Sequence, residues 1–94
     1  MLDIRYNEAN EIAISGRFDI TQVDKVNEFL AGVDTNATLN FRKLDYISSA
    51  GMGVLLATQK RLSQSGHKLK IREMNLHIRD VFRYARFDVI FEIE

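Results

Sequence analysis

Extended and helical hydrophobic patterns alternate along this chain, and this alternation restricts its fold more than any other feature. It begins with two short segments of period two. Leu2, Ile4 and Tyr6 share one face of the first segment, and Ile12 and Ile14 share one face of the second. The turn-forming residues NEAN separate the two segments. A β-hairpin is therefore predicted at the start of the chain.

Three later segments repeat their apolar residues at helical spacing. The first follows RFD, the second extends from Ala50 to about Ser65, and the third follows Asn75, a residue type that often caps helices. The apolar stripes of the three predicted helices are Val23, Val26, Leu30 and Val33; Gly51, Leu55, Thr58 and Leu62; and Ile78, Val81, Phe82 and Ala85.

Further extended segments lie between and after these helices. We predict strands over residues 37 to 43, in KLKIRE with Leu69 and Ile71 facing inward, and in the final DVIFEI. The predicted order ββαβαβαβ indicates the α/β class, with one domain over residues 1–94 and a mixed, mostly parallel central sheet. Ligands of such sheets usually bind where strands lead into helices. Two junctions meet this description, GRFDIT and DYISSAGMG.

Composition and charge exclude several classes of function. Thirteen basic residues balance thirteen acidic ones, so no general attraction to nucleic acid is expected. Cysteine is absent and His67 and His77 lack metal-ligand spacing, so we expect no metal or other cofactor. The apolar runs are far shorter than the roughly 20 residues that cross a bilayer, and the N-terminus does not resemble a signal peptide. We therefore expect a cytoplasmic protein without membrane insertion.

The second junction contains two adjacent serines where a strand pattern becomes a helical one. A helix N-terminus presents unpaired backbone N–H groups and a partial positive charge, which together stabilise an anion. Ser49 precedes the small residues Ala50 and Gly51, so we expect its hydroxyl to lie near those N–H groups. From the residues alone, Ser49 is either a simple N-cap or a site of phosphate attachment. In the first junction, Asp19 is expected to lie near Ser49, where it is either a helix cap or a polar contact to a partner.

The stretch LNFRKLDYISSAGMGVLLATQKRLSQSGHKLKI resembles the signature region of the STAS domains, the family of bacterial anti-sigma factor antagonists and their relatives. SGRFD is similar to the family's Gly-x-Leu-Asp, so the resemblance spans essentially the whole chain. Gly51, Met52, Gly53 and Val54 match the family's Gly-Leu-Gly-Val, which implies that Ser49 is the phosphoacceptor. The resemblance also implies partner switching. The unmodified domain binds an anti-sigma factor that is itself a serine kinase, phosphorylation breaks the complex, and a phosphatase restores it.

The resemblance and the helical projection together give a set of candidate partner-binding residues. Met52 and Leu56 lie at one edge of the predicted apolar arc, where they are either core residues or partly exposed docking contacts. We expect a regulatory protein rather than an enzyme, and a monomer or a weak dimer. Two alternatives stay open: a STAS subunit of a lipid-transport ABC complex, and a structural subunit of a larger signalling assembly. The candidate partner-binding residues are Asp19, Ser48, Gly51, Met52 and Leu56.

Two residues depart from the family pattern. Asn40 stands where the antagonists usually have Asp, and Ser48 replaces the acidic residue beside the phosphoacceptor. Both changes are expected to remove negative charge near Ser49, which should lessen the repulsion of an incoming phosphate. The usual final helix of the family is not expected, because the sequence stops at Glu94 directly after the last predicted strand.

Overall fold

The alternating sequence pattern produces six β-strands and three α-helices. A computed structural model describes residues 1–94. The strands are β1 (Leu2–Tyr6), β2 (Ile12–Phe18), β3 (Ala37–Asn40), β4 (Leu44–Ile47), β5 (Leu69–Arg72) and β6 (Glu92–Ile93). The helices are α1 (Val23–Leu30), α2 (Ser49–Ser63) and α3 (Leu76–Tyr84), with short 3₁₀ turns at Ile20–Gln22 and Phe87–Val89.

The six strands form one mixed sheet. Its order is β1-β2-β3-β5-β6, and β4 pairs with β2 beyond the end of β3. β1 and β2 form the predicted antiparallel hairpin, with Ile4 opposite Ile14, and the other pairings are parallel. The predicted α/β class, with a mostly parallel sheet and three helices, is therefore confirmed.

The strand predicted over residues 37 to 43 is two strands separated by a turn. β3 ends at Asn40, and the N–H of Leu44 donates to the carbonyl oxygen of Phe41 at 2.9 Å. A continuous strand would put Lys43 on the same face as the fully buried Phe41, because side chains two residues apart point the same way. The turn avoids burying an ammonium group. The observed order is therefore ββαββαβαβ rather than ββαβαβαβ.

All three helices pack on one face of the sheet. A single cluster of 21 buried hydrophobic residues joins the helices to alternate strand residues such as Ile14, Leu39 and Ile71. The intervening strand residues, Ser15 and Lys70 among them, are only partly buried and point to the other face. The protein thus has two layers, and one face of its sheet has no helix over it. None of its helices has the length and apolar character needed to span a membrane.

The C-terminal segment is only partly extended, so the predicted strand DVIFEI is too long. Glu92–Ile93 pairs with β5, whereas Phe87–Val89 forms a 3₁₀ turn. Phe87 and Phe91 both pack against Phe82, with ring centroids 5.8 Å and 5.9 Å from its own. Two aromatic rings four residues apart reach the same neighbour in a helical turn but not in a strand, where they would lie too far apart.

The hairpin is fixed to α1 at the edge of the sheet. β1 is the edge strand, and the Nζ atom of Lys25 donates to the carbonyl oxygen of Leu2 at 2.7 Å. The ring of Tyr6 also lies 5.5 Å from that of Phe29, measured between centroids. One polar and one aromatic contact therefore hold α1 beside the outermost strand.

A hydrogen-bonded network lies on the uncovered face of the sheet, where β2, β3 and β5 meet. Glu11 and Asn40 are its buried members, with 8% and 9% of their surface exposed. Asn40 Nδ2 donates to Glu11 Oε1 at 3.0 Å and to Glu73 Oε2 at 2.8 Å. Asn7 and Arg72 also donate to the Glu11 carboxylate. The hydrogen bond from Asn40, followed by those from Arg72 and Asn7, lowers the pKa of Glu11 below its ordinary value.

This network predicts a specific dependence of stability on pH. Because the pKa of Glu11 is lower in the folded than in the unfolded chain, its contribution is present above the unfolded pKa and is lost as the pH falls through the folded pKa. We expect Glu11→Gln to lower the free energy of unfolding by about 1–3 kcal/mol near pH 7 and by less near pH 3.

Urea denaturation across this pH range measures the effect. Glu28→Gln is the control, because Glu28 is exposed and forms no ion pair. Equal offsets of Glu11→Gln from the wild type at both ends of the range would contradict the assignment.

Candidate functional site

Ser48, and not Ser49, caps α2. Ser48 has extended backbone angles, φ −87° and ψ 170°, and its Oγ accepts a hydrogen bond from the Gly51 N–H at 3.1 Å. This is N-cap geometry, and it gives one of the unpaired donors of the helix a partner. The N-cap alternative for Ser49 is wrong by one residue, because β4 extends to Ile47 and leaves Ser48 at the strand-to-helix boundary.

Ser49 is the first residue of α2 and its side chain is exposed. Its hydroxyl makes no hydrogen bond to another residue, since the cap belongs to Ser48. α2 has 15 residues, so a well-developed helix dipole points its positive end toward this position. Ser49 thus presents an accessible hydroxyl group at a helix N-terminus, and this group forms no hydrogen bond within the fold.

The two junctions predicted from the sequence lie side by side. β2 and β4 are parallel neighbours with Phe18 opposite Ile47, and the Ser48 N–H donates to the Phe18 carbonyl oxygen at 2.9 Å. Asp19 and Ser49 therefore follow adjacent strand ends at the same edge of the sheet. This agrees with the expectation that Asp19 lies near the serine pair.

Asp19 organises the first junction. Its Oδ1 accepts hydrogen bonds from the Thr21 N–H and the Thr21 hydroxyl, which caps the 3₁₀ turn before α1. The hydrogen bond from the Thr21 hydroxyl is the main cause that lowers the pKa of Asp19, and the positive charge of Arg17 contributes further. Asp19 is thus a capping residue whose carboxylate is also half-exposed at this edge.

Gly51 allows α2 to approach the two strand ends closely. A Cβ atom at this position would lie 3.0 Å from Ile47 Cγ1, 3.0 Å from Phe18 Cγ and 3.1 Å from the Phe18 carbonyl oxygen. These distances are shorter than ordinary carbon contacts. Gly51 is consequently buried beneath the serine pair, where it supports the surface rather than forming it.

The remaining candidates on α2 differ in their exposure. Met52 is buried, with 6% of its surface exposed, so it is a core residue and not the partly exposed contact that was considered. Leu56 is partly buried, as expected for the edge of the apolar arc. The accessible part of the site therefore consists of Asp19, Ser48 and Ser49, with Leu56 at its margin.

Asn40 does not belong to this site, although the sequence analysis placed it nearby. It pairs with Ala13 on β2, whereas Ile47 pairs with Phe18. Five residues of strand separate the two pairings, which corresponds to about 16 Å. Of the two departures from the family pattern, only Ser48 removes an acidic group from the immediate surroundings of Ser49.

Two features of the site were missed by sequence analysis. Ile20 is 73% exposed beside Asp19. Its spacing of three residues from Val23 would place it on the buried stripe of a helix, but the 3₁₀ turn directs it outward. The guanidinium carbon of Arg17 lies 4.3 Å from the centre of the Tyr46 ring, a cation–π contact between β2 and β4. Neither feature leaves a signal in the local sequence pattern.

The sequence matches the model of a known protein family. The family model described as Mlab, STAS domain matches residues 4–92, so the chain belongs to the STAS domain family. A curated relative from Bordetella bronchiseptica, BtrV, whose name describes an anti-sigma factor antagonist, is 39% identical over 69 residues. That match covers 70% of this chain and 60% of BtrV, so the chain spans less than two thirds of the relative's length.

Solved structures of similar fold carry related names. An anti-sigma factor antagonist from Mycobacterium paratuberculosis superposes with a TM-score of 0.81 at 13% identity, covering 99% of this chain and 83% of that one. The Bacillus cell fate determinant SpoIIAA in its phosphorylated form gives a TM-score of 0.71 at 17% identity, covering 100% and 91% of the two chains. At these identities the likeness establishes the fold.

The division of roles between the two serines can be tested by stability. Ser48→Ala removes the cap and should lower the free energy of unfolding by about 1 kcal/mol. Ser49→Ala replaces an exposed residue and should change it by less than about 0.5 kcal/mol. Urea denaturation of the two variants measures the difference. A larger loss of unfolding free energy for Ser49→Ala than for Ser48→Ala would show that Ser48 is not the cap.

The two glycines of α2 provide a second matched pair. Gly51→Ala forces a methyl group against Phe18 and Ile47, and we expect it to lower the free energy of unfolding by about 1 kcal/mol or more. Gly53→Ala meets nothing within 4 Å, so its higher helix propensity should stabilise the protein by about 0.5–1 kcal/mol. Thermal unfolding compares them. Stabilisation by both substitutions would show that α2 has room to move away from the sheet.

Proposed function

We propose that this chain is an anti-sigma factor antagonist-like regulator that binds an anti-sigma factor with serine kinase activity and is switched off by phosphorylation of Ser49. One observation carries the proposal: at the N-terminus of α2, Ser49 is exposed and its hydroxyl forms no hydrogen bond, while Ser48 is the N-cap. The hydroxyl that would accept phosphate is therefore free for chemistry without loss of the cap. A phosphatase would reset the switch, and the protein would act in the cytoplasm by contact rather than by catalysis.

The proposed docking surface lies at the carboxyl ends of β2 and β4, where both junctions are found. Asp19, Ser48 and Ser49 form its polar part, and Leu56 lies at its margin. Gly51 and Met52 lie buried beneath this surface, and Gly51 allows α2 to approach the strand ends closely. A partner that packs on this edge would cover the Ser49 hydroxyl.

Phosphate on Ser49 would act by charge and by size. It adds nearly two negative charges close to the Asp19 carboxylate, which is already anionic. The dipole and the free N–H groups of α2 stabilise that charge on the folded protein itself. Phosphorylation should therefore leave the fold intact and weaken an interface that has been built around a neutral serine.

The comparisons support this proposal at two levels. BtrV, named as an anti-sigma factor antagonist, is similar over most of this chain. SpoIIAA has been solved in a phosphorylated form with this fold, which supports the view that such a fold accommodates a phosphate group. The partner, the phosphorylated residue and a monomeric or weakly dimeric state are inferences for this chain.

The direct test is phosphorylation by an anti-sigma factor kinase from the same genome, with ATP and mass mapping of the product. We expect phosphate on Ser49 of the wild type and none on Ser49→Ala, while Ser48→Ala stays a substrate. Ser49→Glu should bind the kinase at least about tenfold more weakly than the wild type in calorimetry, because it mimics part of the added charge.

Other outcomes decide against the proposal. Phosphate on Ser48 or only at other residues would refute the switch at Ser49. Recovery of a transport ATPase in place of a kinase, by cross-linking of the full chain in cells, would favour the lipid-transport alternative.

A further inference from the structure

A groove of about 650 Å³ lies on the uncovered face of the sheet, away from the serine pair. Its floor contains Ala13 and Ser15 of β2, whose small side chains leave space above the strand. Arg5 of β1 lines one side, and Arg42 and Lys43 line another. The volume lies within the range of small-molecule sites, about 300–1,000 Å³.

The turn between β3 and β4 brings two cationic side chains into this groove together. In a continuous strand, Arg42 and Lys43 would point to opposite faces of the sheet. Because the chain instead turns between Phe41 and Leu44, both residues line the groove and both are exposed. The carbonyl oxygen of Lys43 accepts from the Gly16 N–H at 2.9 Å, which fastens the turn to β2.

The buried network holds this turn in place from below. Asn40 Oδ1 accepts a hydrogen bond from the Arg42 N–H at 2.9 Å, and its Nδ2 donates to Glu11 and Glu73. The Asn40 side chain is therefore fixed on both ends and is 9% exposed. Because these contacts already position the turn that carries Arg42 and Lys43, this side of the groove needs little rearrangement to bind a ligand.

The charges in the groove are unevenly compensated. Arg5 pairs with Asp3 at 2.6 Å, and Arg72 pairs with Glu11. Arg42 and Lys43 line the same groove and form no ion pair. Glu73 also lines the groove, but its Oε2 accepts from Asn40, and neither Arg42 nor Lys43 pairs with it. Two neighbouring cations that form no ion pair are available to an anionic group, and a guanidinium group can bind a carboxylate or phosphate through two hydrogen bonds.

We propose that this groove binds a small polar organic anion, with its phosphate or carboxylate group between Arg42 and Lys43 and its hydroxyl groups over Ser15. Asp3 and Glu73 also line the groove, and their carboxylates offer acceptors for those hydroxyl groups. This site is separate from the proposed docking surface, and its occupancy does not depend on phosphorylation of Ser49.

The test is a titration of the ¹⁵N-labelled full chain followed by NMR. Glycerol 3-phosphate and malate are the two anionic probes, and glycerol is the neutral control. We expect saturable shifts of the amide signals of Ser15, Arg42 and Lys43 with at least one anion and none with glycerol. Saturation by only one of the two anions would identify phosphate or carboxylate as the recognised group.

Charge-removing variants decide whether the two cations are responsible. The double variant Arg42→Gln and Lys43→Gln should raise the dissociation constant by about tenfold or more. Lys60→Gln is the matched control, because Lys60 is an exposed cation of α2 without an ion pair, and it should leave the constant unchanged. The dispersion of the amide spectrum reports whether each variant is folded.

Three results would overturn the proposal: no saturable shift up to about 10 mM of either anion, equal binding by the folded double variant, or the same shifts with glycerol. None of these results would bear on phosphorylation of Ser49, which is measured separately.

Discussion

The close approach of α2 to the ends of β2 and β4 is the constraint on which the site depends. It exists because Gly51 has no side chain, and the space that a methyl group would need is filled by Phe18 and Ile47. With the helix held at this distance, the chain leaves β4 at Ile47 and turns into α2 within a single residue. Ser48 becomes that residue and caps the helix, and Ser49 is left on the surface with a free hydroxyl.

The parts of this structure that follow from the sequence are those with a long, regular pattern. The hairpin, the three helices and the Asn75 cap were predicted from periodicity and residue type, and Asn75 Oδ1 does accept from the Ile78 N–H at 2.8 Å. The turn between β3 and β4 was missed because the residues FRKL contain none of the usual turn formers. The only sequence indication of this turn was that Lys43 would face the core in a continuous strand.

The assignments within the site depended on contacts that a local pattern does not contain. Two adjacent serines are equally suited to capping. Ser48 is the cap because the pairing of β4 with β2 ends there, with the hydrogen bond from the Ser48 N–H to the Phe18 carbonyl oxygen. Asn40 was placed near the serines by analogy alone. Its actual partners include Glu11, 29 residues earlier in the chain, and such a pairing becomes visible only when β2 and β3 are aligned.

The contact between Lys25 and β1 also has a consequence for the behaviour of the protein in concentrated solution. An edge strand exposes unpaired carbonyl and N–H groups that can recruit the strand of another molecule and begin aggregation. The ammonium group of Lys25 donates a hydrogen bond to the outward carbonyl oxygen of Leu2, so a strand of another molecule must displace this group before it can pair there. The same residue therefore both anchors α1 and shields one outward carbonyl group of this edge strand.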